Sequence, residues 1–373
     1  MAYNTKALLD YLTTTSQPVG VGYSYSSTQI NDALSASKDN YNFLRLLFHA
    51  NPELARRPLY IAGESFGGTW VTSLAAFIHR YQHSNIGELA QQTSVLPIIN
   101  LQGIMLGNVA VDDSLQWKGF YDTACNGDAP LFNDTLCHLM AESMPRCQAL
   151  LNTCQIMEYD MEACGSALSY CRNTSVFLLQ DALPDRNPYN FMEPCRDTKT
   201  GLCYEEISWA TAYLNSVHVR EALGIPSNLT FEPCNMDLNT RFTATGESNK
   251  AHSLDLTYIL NSGLRVLLYV GDQDWLCNSR GMQYLANEIE WHGNMPFRSQ
   301  ALQRWGTRKP LGVDTPTTQT VFERHHSFAG QGKQFGSLTF LVINGAGHMV
   351  PLDKGYESVK MINDWINGKI DWQ

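Results

Sequence analysis

The sequence predicts an α/β fold with a mostly parallel central sheet, interrupted by a disulfide-rich insertion. Two observations carry that expectation. Apolar runs of strand length alternate with stretches of helical spacing from residue 60 to 108 and again after residue 205. Between them, eight of the ten cysteines crowd into the segment from Cys125 to Cys203, which has little apolar periodicity. The division expected is residues 1–110 as the first part of the core, 111–204 as a Cys-rich cap insertion, and 205–373 as the second part.

In chain order, "RPLYIAG" reads as a short buried strand, "TWVTSLAAFIHRY" as a helix, and "LPIINLQGIMLGN" as a second strand. After the insertion, "WATAYLNSVHVREALGI" has helical spacing, and "RVLLYV" (Arg265–Val270) and "SLTFLVI" (Ser337–Ile343) read as strands. The stretch between those two strands, "ANEIEWHGNMPFRSQALQRWG", reads as helix and loop. A closing helix, "YESVKMINDWING", ends at Gly368. No internal repeat or low-complexity tract occurs.

Bulk properties restrict the function. With 26 Lys and Arg against 36 Asp and Glu, the formal charge is -10, which argues against nucleic acid and against polybasic membrane attachment. No run approaches the ~20 apolar residues of a membrane span, and the opening "MAYNTKALLDYLTTTSQPVG" lacks the pattern of a secretory leader. The cysteine density points instead to an oxidising compartment. Zinc is the rival explanation, but close C-x-x-C spacing is lacking and His138 is the one histidine of the segment, so no metal is expected. Sequons at Asn133, Asn173 and Asn228 suit a glycoprotein of the same compartment.

The chemistry is carried by three positions. Gly63, Ser65 and Gly67 form the G-x-S-x-G pattern of a nucleophile elbow, where a strand turns sharply into a helix. A serine there needs a base and an acid to orient it, in the chain order Ser, acid, His. "GDQDW" (Gly271–Trp275) offers Asp272 or Asp274, and "NGAGHMVPLD" (Asn344–Asp353) offers His348, each after a strand. This combination predicts an α/β-hydrolase fold without a cofactor, with the Phe66 N–H as an oxyanion donor.

At these residues the sequence resembles the serine carboxypeptidases, most closely the fungal, carboxypeptidase Y-like members. The shared motifs are "QPVGVGYSYS", "PLYIAGESFGG", "NLQGIMLGN", "NPYNFMEPC", "YVGDQDWLCN" and "GAGHMVP", which together run from Gln17 to near the end of the chain. The resemblance implies release of C-terminal amino acids from peptides or proteins, and selects Asp274 as the acid. It implies that Glu64, kept protonated, helps hold the substrate's terminal carboxylate. It also implies that Cys277 is a free thiol by the pocket for the residue preceding the cut, and that Met349 borders the pocket for the departing one. The disulfides implied are Cys125–Cys137, Cys147–Cys171, Cys154–Cys164 and Cys195–Cys203, leaving Cys234 and Cys277 unpaired. A vacuolar or extracellular location follows by the same resemblance, and oligomeric state is left open. The chain departs from the family at its front, where the W-x-N-G-G-P-G-C-S-S segment and the first strands are missing. It is therefore expected to be an N-terminally shortened member of impaired activity. An acyltransferase with the same triad and a catalytically silent secreted glycoprotein are the alternatives.

Overall fold

The computed structural model describes residues 15–84, 97–126, 130–156, 160–198, 201–247, 250–308 and 326–372. Among these residues, six strands form the central sheet: β1 (Leu59–Ser65), β2 (Leu101–Val109), β3 (Arg265–Gly271), β4 (Gln303–Arg308), β5 (His326–Phe335) and β6 (Leu338–Ile343), in the order β1-β2-β3-β6-β5-β4. The first four in that order run parallel, while β5 and β4 are antiparallel additions at one side. This is the mostly parallel α/β architecture expected.

The near-continuous apolar runs of the inner strands follow from burial on both faces. Successive side chains point to opposite sides, so Ile104, Leu106, Val266, Leu268, Val270, Phe340 and Val342 pack into one core. Their alternates Met105, Leu267, Tyr269, Leu341 and Ile343 pack into the other, against Met361 and Trp365 of the closing helix. That helix (Gly355–Ile366) covers one face. The opposite face is covered in part by a helix that leaves the elbow, Gly67–Ser84, whose Val71, Ala75 and Ala76 enter the first core.

Three elements differ from the sequence expectation. β1 is an edge strand and none of its residues is fully buried, because β2 is its one partner among the described residues. β4 arises at the end of the stretch "ANEIEWHGNMPFRSQALQRWG", where helix and loop were expected and where Asn294–Arg298 and the end of Ser279–Glu288 are helical, and β5 lies beyond that stretch, where no element was expected. The run "WATAYLNSVHVREALGI" splits into Glu205–Leu214 and Val217–Ala222, because the Asn215 side chain turns aside to bond both the N–H and the carbonyl of Phe231.

The insertion is largely helical, with helices Asp134–Ile156 and Met161–Cys171 followed by a single π-helical turn, Arg172–Val176. Its cysteines are joined as Cys125–Cys137, Cys147–Cys171, Cys154–Cys164 and Cys195–Cys203, and Cys234 and Cys277 are free. These helices bury a core of their own, centred on Trp117, Phe120, Met140 and Leu179. Trp275 joins that cluster from the loop after β3, with its ring 5.1 Å from Phe120 and its Nε1–H donating to the Val176 carbonyl at 2.9 Å. The insertion is thus anchored on the loop that carries the candidate acid.

Candidate active site

Ser65 ends β1 and turns into the helix from Gly67 with φ of +59°, a left-handed backbone rarely adopted by a residue with a side chain. Its neighbours explain how the turn closes. A Cβ on Gly63 would lie 2.6 Å from Val71 Cγ2 and 2.8 Å from the Gly67 carbonyl oxygen. One on Gly68 would lie 2.7 Å from Val109 Cβ. Gly67 differs, since a Cβ there would meet nothing within 4 Å. The close packing that the elbow needs therefore falls on Gly63 and Gly68, only one of which belongs to the G-x-S-x-G pattern.

Asp274 and His348 are brought together by two loops at the C-terminal ends of β3 and β6. His348 Nδ1 lies 2.6 Å from Asp274 Oδ2, and both residues are buried. Because the carboxylate can only accept, Nδ1 carries the proton and Nε2 is left to take one. Asp274 is held in turn by Asn108 Nδ2–H at 2.8 Å and by the Leu276 N–H at 3.0 Å. Asp272, the other acid of "GDQDW", instead accepts from the Gly345 N–H at 2.8 Å and so ties the two loops together. A Cβ on Gly271 would sit 2.2 Å from the Gly347 carbonyl oxygen, so the loops approach as closely as backbone allows.

The hairpin formed by Arg186–Asn187 and Asn190–Pro194 braces the same place. The Tyr189 carbonyl accepts from the His348 N–H at 2.6 Å, and the Tyr189 ring lies 5.3 Å from the imidazole. The Phe191 N–H donates to Gln273 at 2.9 Å. Sequence reasoning gave no role to Asn108 or Tyr189. Asn108 has a recognisable signature after the fact: an Asn closing a β-strand, here with φ of +45°, in the conformation that Asn tolerates better than most residues.

The electrostatics couple these groups. Burial would lower the His348 pKa, but the Asp274 charge and hydrogen bond, with a further push from Glu64, leave it raised. Burial raises Glu64 to about 7, with His348 pulling it down and Asp274 and Asp353 pushing it further up. Glu64 thus feels both members of the buried pair, although it belongs to the elbow. The Ser65 hydroxyl and His348 form no hydrogen bond among the described residues. Such contacts are often long in a ligand-free site and tighten on substrate binding.

Cys277 lies on the loop after Asp274, and its Sγ is within 4.8 Å of ligating atoms of Asp274 and His348. Burial, then the nearby Asp274 and Asp113, hold its thiol well above its ordinary pKa, so it is a neutral thiol. It lines a cleft of about 500 Å³ together with Phe66, Trp70 and the free Cys234. Met349 follows His348 at the start of the short helix Val350–Asp353 and is half-buried outside that lining. Asn133, Asn173 and Asn228 are all exposed. No helix among the described residues is long and apolar enough to cross a membrane.

Comparison with known proteins places the chain in a family. The serine carboxypeptidase family matches residues 10–368. The chain belongs to the serine carboxypeptidase family. It is 31% identical over 369 residues to carboxypeptidase Y of Candida albicans, covering 98% of this chain and 61% of that protein. It is 30% identical over 370 residues to carboxypeptidase Y homolog A of Coccidioides posadasii, covering 99% of this chain and 62% of that one. The chain therefore spans about three-fifths of the length of these relatives. The structure of Kex1(delta)p, a prohormone-processing carboxypeptidase from Saccharomyces cerevisiae, superposes with a TM-score of 0.75 at 22% identity, covering 95% of this chain and 73% of that one. That likeness shows a shared α/β-hydrolase fold.

Proposed function

We propose that this serine carboxypeptidase family member hydrolyses C-terminal peptide bonds through an acyl-enzyme, with Ser65 as nucleophile, His348 as base and Asp274 as its orienting acid. The observation that supports this reading is the 2.6 Å bond between buried Asp274 and His348, in a chain whose candidate nucleophile is held at positive φ. Ser65 Oγ attacks the carbonyl carbon while His348 Nε2 takes its proton. The Phe66 N–H, which makes no backbone hydrogen bond among the described residues, stabilises the oxyanion. His348 then returns the proton to the departing amine, and water repeats the sequence to release the acid.

Glu64 supplies the preference for a chain end. At acidic pH its carboxyl is protonated and donates to the substrate's terminal carboxylate, whereas an ionised Glu64 repels it. Cys277 borders the site on the acyl side and Met349 on the side of the departing residue. The disulfides and exposed sequons fit maturation in an oxidising, secretory compartment.

Purified protein treated with a fluorophosphonate probe and with N-blocked dipeptides tests this. The expected result is labelling that is lost in Ser65→Ala, together with release of the terminal amino acid. Folded protein that neither labels nor cleaves at any pH would favour a catalytically silent glycoprotein. Labelling with transfer of acyl groups but no peptide cleavage would favour an acyltransferase.

A further inference from the structure

The walls of the cleft beside Cys277 are mostly apolar, among them Trp70, Phe120 and Leu276. Two charged side chains interrupt them, Asp113 and Arg172. Asp113 opens the one-turn helix Asp113–Gln116, next to an N-cap residue whose carboxylate is already in use: Asp112 accepts from Ser114 N–H at 3.0 Å and from Gln155 at 2.9 Å. The Asp113 carboxylate, by contrast, has no hydrogen-bond or ion-pair partner among the described residues. Arg172 begins the π-helical turn, is exposed to solvent, and forms no ion pair with Asp113.

Asp113 is half-buried and lines the cleft. Burial pushes its carboxyl up to about 6, with Arg172 pulling it down and Asp112 pushing it further up. Its charge is also felt at the Cys277 thiol, which stands beside Asp274 and His348. The unpartnered carboxylate therefore lies within electrostatic reach of Cys277, while Arg172 lines the same cleft at its exposed surface, where solvent screens part of its charge.

We infer that Asp113 is the specificity-determining residue of this cleft, selecting peptides with a basic side chain, Lys or Arg, on the acyl side of the bond to be cut. The inference rests on the carboxypeptidase reading above, which seats the acyl residue next to Cys277. The apolar walls match the methylene stem of such a side chain, and its cation supplies the charge-assisted hydrogen bond that the carboxylate lacks. A leucine side chain would fill the walls but leave the carboxylate desolvated and unpaired. An acidic side chain would meet a like charge.

Binding rather than turnover tests this. N-benzyloxycarbonyl derivatives of arginine, leucine and glutamic acid, which are the acyl products of the proposed reaction, are titrated calorimetrically near neutral pH. The arginine ligand is expected to bind at least about tenfold more tightly than the leucine ligand, with the glutamic acid ligand weakest. Asp113→Asn is expected to collapse the arginine-to-leucine ratio, whereas Arg172→Gln, which leaves Asp113 intact, keeps or raises it. Equal arginine and leucine affinities in the parent, no binding of the arginine ligand, a ratio that survives Asp113→Asn, or one that collapses in Arg172→Gln overturns the inference. Fluorophosphonate labelling of Ser65 in the same samples separates the two readings. Labelled protein without selectivity sinks the specificity role alone, and unlabelled protein with selectivity sinks the hydrolase role alone.

Discussion

Glu64→Gln isolates a group whose ionisation links stability to recognition. On folding, the Glu64 carboxyl moves from 4.5 to about 7, chiefly through burial. A raised carboxyl pKa means that the folded chain retains a proton that the unfolded chain has released. Below about pH 4.5 both states are protonated and the group is neutral to stability; as pH rises through about 7 its contribution becomes fully unfavourable. A shift of that size corresponds to at most about 3 kcal/mol, of which roughly 2 kcal/mol develops between about pH 5 and about pH 8. Solvent reaches part of this side chain, so screening brings the expected change below that value. The glutamine variant cannot ionise and should escape the loss. Urea unfolding of parent and variant, disulfides intact, should give curves that separate as pH rises, the variant gaining relative to the parent. Parallel loss of stability in the two proteins between those pH values would refute the assigned burial of the Glu64 charge.

Three further outcomes follow from the same geometry. Peptide hydrolysis should weaken above about pH 7 as Glu64 ionises, while esters lacking a free carboxylate are less affected, and Glu64→Gln should flatten the difference; identical peptide and ester profiles in the parent would sink the recognition role. Asn108→Ala removes a hydrogen bond to the buried Asp274 carboxylate and places alanine at φ of +45°, so stability should fall by about 2–4 kcal/mol, with a larger proportional loss of turnover than of substrate affinity; thermal unfolding and steady-state kinetics check both parts. Gly271→Ala puts a methyl 2.2 Å from the Gly347 carbonyl oxygen and should separate the acid and histidine loops, read as loss of fluorophosphonate labelling at Ser65; labelling at the parent rate would mean that the loops yield without consequence.

The parts of this molecule that were legible in its sequence are those where local pattern and tertiary role agree. The inner strands read as strands because both faces are buried, and the elbow was visible because small residues flank the serine. Which acid of "GDQDW" meets His348 was not legible from spacing. Asp272 and Asp274 are two residues apart on a loop, and the difference lies in partners more than sixty residues away. β4 was missed because its residues, such as Arg304, lack a strand's alternation of apolar and polar side chains, and β5 lies in a stretch for which no element was expected. The strand β1 read as buried because Leu59 and Ile61 are apolar, yet edge position is set by what pairs with it, not by its own residues. The helical insertion was illegible for another reason: its cysteines and π-turn place buried side chains on more than one face, which erases the period that marks a helix.

The adjacency of Glu64 and Ser65 has a consequence for the proposed chemistry. Glu64 and His348 each shift the other: the Glu64 charge favours the protonated imidazole, and the imidazolium charge favours the ionised Glu64. Over the range where both titrate, the pair tends to hold one proton, which resides on either residue. The proposed catalysis requires it on Glu64, because His348 Nε2 must be unprotonated to act as base. A substrate carboxylate arriving beside Glu64 favours that same distribution, since it is repelled by an ionised neighbour and hydrogen-bonded by a protonated one. On this mechanism, binding a chain end draws the proton onto Glu64, removes the negative charge that had supported the imidazolium, and leaves His348 free to take the proton of Ser65. An ester substrate without a terminal carboxylate gains no such assistance and reacts only with the fraction of protein in which His348 is already neutral. In the proposed mechanism, the acid before the nucleophile therefore does more than mark the end of the peptide: it couples that recognition to the protonation state of the base.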